Sequence, residues 1–207
     1  MMSTRKSSER GSTLVEFVLC FGFVWVPLFL GTLVLGFNLV RAIQVTQVCR
    51  DAGHMYAFGT DLSQPAYQNM LVSLAPGLNM TTNGGNGVII LSTVTYADQN
   101  ACNAASLTSS CPNLGQAVIM RRIVIGNANL HLSSFGTPAS SIMDSKGNIS
   151  NTNYLSNASA VAPNFLNLVP LQSSTQFAYI AEMWVTSPDY NWWSFLGNSG
   201  SSARAIF

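Results

Sequence analysis

Charge is what this 207-residue sequence has least of. Asp, Glu, Lys and Arg make up 8% of it, with a formal net charge of only +1; an ordinary soluble domain carries about 25% charged residues. Such a chain has no basic field to hold a phosphate backbone, which disfavours nucleic acid as a partner. Histidine is scarce too. His54 and His131 are near neither Cys102 and Cys111 nor one another in sequence, which argues against a zinc-type ligand set. No Gly-x-Ser-x-Gly elbow, His-Glu-x-x-His pair or phosphate loop occurs. The expectation is a protein with no reaction of its own, no cofactor and no metal. Serines are many, so an envelope hydrolase stays as an alternative.

What is present is apolar. Hydrophobic residues make up 48% of the chain, which suits one membrane segment plus one globular domain of about 150 residues. The polar surface must come from Ser, Thr, Asn, Gln and Gly, as in envelope and surface-exposed proteins. From Phe17 to Val40 the sequence holds no Asp, Glu, Lys or Arg, and a helix of that length crosses about 30 Å of hydrocarbon. Glu16 stands at its mouth. A charge inside a membrane segment costs about 2.5–3.5 kcal/mol at the centre and less at the edge, which marks Glu16 as a functional candidate. Arg5, Lys6 and Arg10 precede the run, against Glu9, and Arg41 follows it, so the positive-inside rule predicts a cytoplasmic N-terminus and an extracytoplasmic remainder. A secretory signal fits poorly, because its apolar core is shorter and ends at a small-residue site. A lipoprotein signal fits no better, because Phe17-Val18-Leu19 before Cys20 lacks small residues.

The helix is expected to continue to about Phe58. Ile43, Val45, Val48, Ala52, Met55, Tyr56 and Ala57 alternate with Arg41, Gln44, Gln47, Arg50 and Asp51 in an amphipathic pattern. Gly59-Thr60-Asp61 stops it. A second helix starts at Ser63-Gln64-Pro65, capped by Ser63 or Asp61, with Tyr67, Met70, Leu71 and Leu74 as its apolar face. Strands are predicted over Val88–Tyr96, Gln116–Gly126 and Phe177–Thr186, with a possible short piece in 129–135. Three or four strands on a long helix make an α+β unit with a small antiparallel sheet. Forty residues without structure are unusual in a compact domain, so Gly136–Gln176 should hide short helical or strand pieces.

Cys102 and Cys111 lie in a polar loop between the first two strands. In an oxidising compartment a disulfide is the plain expectation, with loop closure contributing about 2.5–3 kcal/mol. Cys20 and Cys49 read as buried free thiols that act as small hydrophobes. Glu182 and the pair Arg121-Arg122 are candidates for an ion pair. The aromatic stretch Asp189–Gly197 is expected to be buried at the end of the sheet, and Asp144-Ser145-Lys146-Gly147-Asn148 reads as a plain turn.

The leader as a whole has a recognisable order: basic residues, Gly11, four uncharged residues Ser12-Thr13-Leu14-Val15, then Glu16-Phe17 and a membrane helix. It resembles the class III signal of type IV pilins, which a prepilin peptidase cuts after the glycine. With Pro27 and the continuation Gln44–Gly53, residues 5–58 are similar to TadE-like pseudopilins of the tight adherence (Tad, Flp-type) pilus system. That family commonly carries Ala-Ala-Arg-x-Gly-Ala where this chain reads Val48-Cys49-Arg50-Asp51-Ala52-Gly53. The resemblance implies a leader over 1–11, an assembly helix over 12–58 and an extracytoplasmic, pilin-like domain over 59–207. It implies cleavage between Gly11 and Ser12, and roles for Glu16 and Phe17 in assembly. It also implies, as partners, the prepilin peptidase, other pilin or pseudopilin subunits, an inner-membrane assembly platform and membrane lipid. Losing the leader would change the formal net charge from +1 to −1. Pro27 with Gly22, Gly31 and Gly36 would permit local bending or melting on assembly. The alternatives are a type II secretion-like pseudopilin or fibre subunit, and an unprocessed membrane-anchored binding domain.

Overall fold

The computed structural model describes residues 9–107, 110–186 and 200–207, with side chains from residue 13 onward. The chain divides into two units, Met1–Val40 and Arg41–Phe207.

The first unit is helical. Helix α1 (Glu9–Cys20) passes through a single π turn (Phe21–Trp25) into helix α2 (Val26–Ala57). Pro27 explains the π turn. Its nitrogen has no hydrogen to give and its ring crowds the carbonyl four residues back, and a π bulge is one of the few ways a helix absorbs such a defect. The Val26 N–H reaches back to the Phe21 carbonyl. The helix therefore continues through Pro27 instead of breaking. Thr32 returns its hydroxyl to the Phe29 carbonyl at 2.8 Å, the local bond that lets a hydroxyl sit in an apolar helix.

In the second unit the last part of α2 buries Val45, Val48, Cys49, Ala52, Gly53 and Tyr56, a stripe at helical spacing. It ends at Ala57, one residue short of the expected Phe58. The stripe packs on a four-stranded antiparallel sheet of order β4-β3-β5-β6, made of β3 (Gly87–Tyr96), β4 (Ala117–Gly126), β5 (Phe177–Thr186) and β6 (Gly200–Ile206). A two-stranded ribbon, β1 (Met80–Thr81) with β2 (Gly84–Gly85), precedes it. Alternation along the strands sorts the core into two layers. Ile89, Leu91, Ile123, Ile125, Ala181 and Met183 face the helix side. Val94, Ile119, Ala178 and Ile180 join Phe135, Leu155 and Phe165 on the other. Both faces are covered, which is why the strands read as nearly continuous apolar runs. Each fully buried Leu or Ile contributes about 1.5–3 kcal/mol.

The three expected strands are present, and β6 is an addition that sequence reasoning did not foresee. Residues 129–135 form no strand. The stretch 136–176 holds helix α5 (Asn151–Ser156) and three short 3-10 turns, in line with the expectation of short pieces. The connection from β3 to β4 contains helix α4 (Gln99–Ala104), which Asp98 caps by accepting the Ala101 N–H at 2.8 Å. Helix α3 (Pro65–Ser73) departs from expectation twice. Gln64 occupies its cap position without a side-chain bond, and Tyr67, Met70 and Leu74 are exposed while Leu71 alone of the four is buried. The aromatic stretch Asp189–Gly197 lies outside the described residues.

Gly53 marks a tight contact between helix and sheet. A Cβ there would overlap the ring of Phe207 and stand 3.1 Å from the Ala181 Cβ. Phe207 is held by paired 2.9 Å backbone bonds with Tyr179 and lies 4.4 Å from the His54 ring.

Candidate functional site

Two regions carry features beyond a plain scaffold. The first is the apolar helix. Gly11 and Ser12 lie in the opening turns of α1, and Glu16 and Phe17 follow one turn later. Phe17 is 69% exposed, stacked at 6.2 Å on Phe21, and Glu16 is exposed beside it. Leu14, Phe23, Trp25, Phe29 and Leu35 are also exposed by more than half. The helix is long and apolar enough to cross a membrane, and none of its most apolar window is buried within the protein. So large an exposed apolar surface suits surroundings of lipid or of other helices. Cys20 lies exposed on this helix, and only Cys49 is a buried thiol as expected; its Sγ sits 3.4 Å from the Ala181 carbonyl oxygen.

The second region is a polar cluster on the face of the sheet opposite α2. Glu182, 6% exposed, is its centre. One carboxylate oxygen accepts the Ser134 N–H at 3.2 Å and Arg204 Nη2 at 3.2 Å, and the other accepts a very short bond from the Ser133 hydroxyl. Ser133 Oγ in turn accepts the Phe135 N–H at 3.2 Å. The guanidinium of Arg204 lies 4.5 Å over the Phe135 ring, and His131 stacks on Trp184 at 4.7 Å. Between loop and strands lies an open pocket of about 190 Å³ lined by His131, Ser134, Glu182, Trp184, Ser202 and Arg204. The Ser133 hydroxyl is committed on both sides to positioning the loop, which leaves it a structural role.

The suggested ion pair between Glu182 and Arg121-Arg122 does not form. Glu182 pairs with Arg204, directly opposite it in the β5–β6 register. Arg121 faces the helix side with Thr93 and pairs with Asp61 at 2.6 Å. Arg122 has the right face, but its strand is separated from β5 by β3, and two strand spacings amount to about 9.6 Å. Burial pushes Arg122 down to about 10, opposed by the Glu182 charge, so it stays protonated at neutral pH. Its Nη2 donates to the Gly136 carbonyl at 2.9 Å. Hydrogen bonds from Ser63 and then Arg121 hold the Asp61 carboxyl well below the usual carboxylate range. The N–H groups of Ser174 and Ala101 likewise lower Asp98. Arg204, Ser133 and Ser134 were missed by sequence reasoning. Only the expectation that Glu182 takes part in an ion pair pointed toward any of them.

Cys102 and Cys111 form the expected disulfide, with Cys102 fully buried on α4. The segment around Asp144 is a turn: one carboxylate oxygen accepts the N–H groups of Lys146 and Asn148 at 2.8 and 2.7 Å and the other accepts the Asn148 side-chain amide at 2.9 Å, which spends both oxygens locally.

No protein-family model matches this chain, and no similarity to a curated protein or a solved structure is found.

Proposed function

We propose that the chain is a minor pilin or pseudopilin of a Tad-like type IV pilus, cut after Gly11 and anchored by its apolar helix with the N-terminus cytoplasmic. One observation carries this reading. The apolar helix is exposed over most of Leu14–Val40 with a single carboxylate, Glu16, at its entrance, while its continuation from Val45 packs on the sheet. Cleavage would make Ser12 the first residue and Glu16 the fifth. The new amine, with a reference pKa of about 7.7–8.0, is mostly protonated at neutral pH. On assembly it pairs with Glu16 of a neighbouring subunit, so that amine and carboxylate enter the apolar filament core together and the pair sets the axial register. The domain then initiates, tips or binds, in adhesion or secretion.

The polar pocket beside Arg204 favours a second reading, an unprocessed membrane-anchored binding domain that never polymerises. N-terminal sequencing of protein expressed with and without a prepilin peptidase separates the two. A chain beginning at Ser12 only when the peptidase is present supports the pilin reading, and an intact leader in both overturns it.

A further inference from the structure

Two buried polar atoms on the far face of the sheet have no hydrogen-bond partner among the described residues: Arg122 Nε and Ser92 Oγ. They belong to cross-strand neighbours, since Ser92 on β3 registers opposite Arg122 on β4. Arg122 is 5% exposed and Ser92 1%. Buried polar groups in folded proteins are nearly always satisfied, by protein or by ordered water. Two such groups on adjacent positions point to one shared partner.

A third group completes the set. Glu182 lies on the same face one strand further, diagonal to Ser92 through the pairing of Ser92 with Ile180. The carboxylate acts electrostatically on Arg122, yet the ion pairs found among the described residues give Glu182 to Arg204 and leave Arg122 without a carboxylate within 4.0 Å. A carboxylate offers about four lone-pair sites. Ser133, Ser134 and Arg204 take three. The gap is too wide for direct contact, and each side of it holds unspent hydrogen-bonding capacity.

We propose that an ordered water molecule is bound between Arg122 Nε, Ser92 Oγ and the Glu182 carboxylate, joining β4 to β5 across β3. It accepts from Arg122 and donates to Glu182, while the Ser92 hydroxyl takes either role, giving the roughly three bonds typical of an internal water. The resulting polar belt runs Arg122–water–Glu182–Arg204 through all four strands. It ties down the segment 133–136 from two sides, through Glu182 with Ser133 and through Arg122 with the Gly136 carbonyl. Water suits the site better than an anion. Glu182 already supplies the negative charge, and a second one beside it would be repelled.

The test uses the full chain in detergent micelles, labelled with nitrogen-15, and reads the nuclear Overhauser cross-peak between the Arg122 Hε proton and water. The expected result is a cross-peak of the sign given by a long-lived bound water. It persists in Ser92→Ala, which keeps the space, and is lost in Ser92→Val, whose methyl groups fill it. No cross-peak in the unsubstituted protein would overturn the proposal, whatever the variants do. So would its loss in Ser92→Ala, because the signal would then have been relayed by the hydroxyl. A shift of the Arg122 resonances when chloride is replaced by a bulky organic anion would identify an anion site and overturn it as well.

Discussion

Replacing Glu182 with Ala tests whether the polar cluster holds the loop or merely decorates it. The side chain accepts three hydrogen bonds, and the three donors differ in what they lose. Ser133 is 9% exposed, so its hydroxyl forfeits a charge-assisted bond with little access to water, a loss of about 1–3 kcal/mol. The Ser134 N–H belongs to an exposed residue and is rehydrated at small cost. Arg204, whose side chain is 41% exposed, recovers most of its hydration, so its part of the ion pair is worth about 0–1 kcal/mol. Arg122 loses the carboxylate that offsets its burial, and the deleted atoms leave space beneath the loop. The sum is about 2–4 kcal/mol. For a chain of this size each kcal/mol moves the unfolding midpoint by about 2–4 °C, so a fall on the order of 5–10 °C is expected in the near-ultraviolet circular dichroism of the detergent-solubilised protein. Arg204→Ala should do less than half as much, because it removes one half-exposed donor and a cation–π contact worth about 0.5–1 kcal/mol. Equal losses from the two variants, or a midpoint shift under about 1 °C for Glu182→Ala, would refute the claim that the buried carboxylate organises the loop. Hydrogen exchange should place the damage in residues 131–136.

Gly53→Leu should destabilise the domain by about 1–3 kcal/mol, because the new side chain needs the space of the Phe207 ring; Phe207→Ala in the same chain should recover part of the loss, and purely additive effects would contradict this account. Reducing the Cys102–Cys111 bridge, which spans nine residues of sequence, should lower stability by about 2–3 kcal/mol, read as a midpoint shift alongside a gain of two hydrogens by mass. Asp61 and Asp98 have pKa values lowered by their hydrogen bonds, so the stability they contribute is complete above the unfolded carboxyl value of about 3.9 and lost as pH falls through the lower folded values. Stability should therefore drop below about pH 4, and Asp61→Asn with Asp98→Asn should flatten that acid limb; an unchanged limb would rule out both carboxylates as its source.

The long helix, β3, β4 and β5 were legible because their residues are large, β-branched or periodic. Strand β6 was not, and the reason is steric. Its helix-facing residues, Ala203 and Ala205, pack in the layer that contains Cys49 and Ala52, where Gly53 leaves room for the Phe207 ring and the Ala181 side chain. Close approach demands small side chains, and small side chains erase the hydrophobic alternation by which a strand is recognised. The same blindness hid Arg204, since β6 is the strand that carries it opposite Glu182, and Arg121-Arg122 were the cations in view. Those two were assigned by composition; the register of the sheet decides otherwise. Between Thr93 and Val94 the β3–β4 register shifts, so a residue's face in β4 cannot be counted from one end of the strand. Arg121 consequently sits with Thr93 on the helix side, where Thr93 also meets the Tyr56 hydroxyl at 2.7 Å.

The apolar helix shows the opposite case, where periodicity alone separates two roles. Between Val45 and Tyr56 the buried positions fall at spacings of three and four, leaving Thr46, Gln47 and Arg50 outward; that stripe packs in one layer with the sheet, and the chain supplies its own partner. Between Phe17 and Val40 apolar side chains point in every direction, and no single sheet or helix can cover a helix that is hydrophobic all round. Such a segment needs a medium that surrounds it, either hydrocarbon or a ring of like helices. A carboxylate at its entrance is tolerable in the first at the interfacial depth and in the second where its charge is compensated. That difference in requirement, more than the helix length, makes Glu16 informative. On the pilin reading proposed above, a helix that leaves lipid for a bundle of its own kind would gain from this acid a reason to stop at one register.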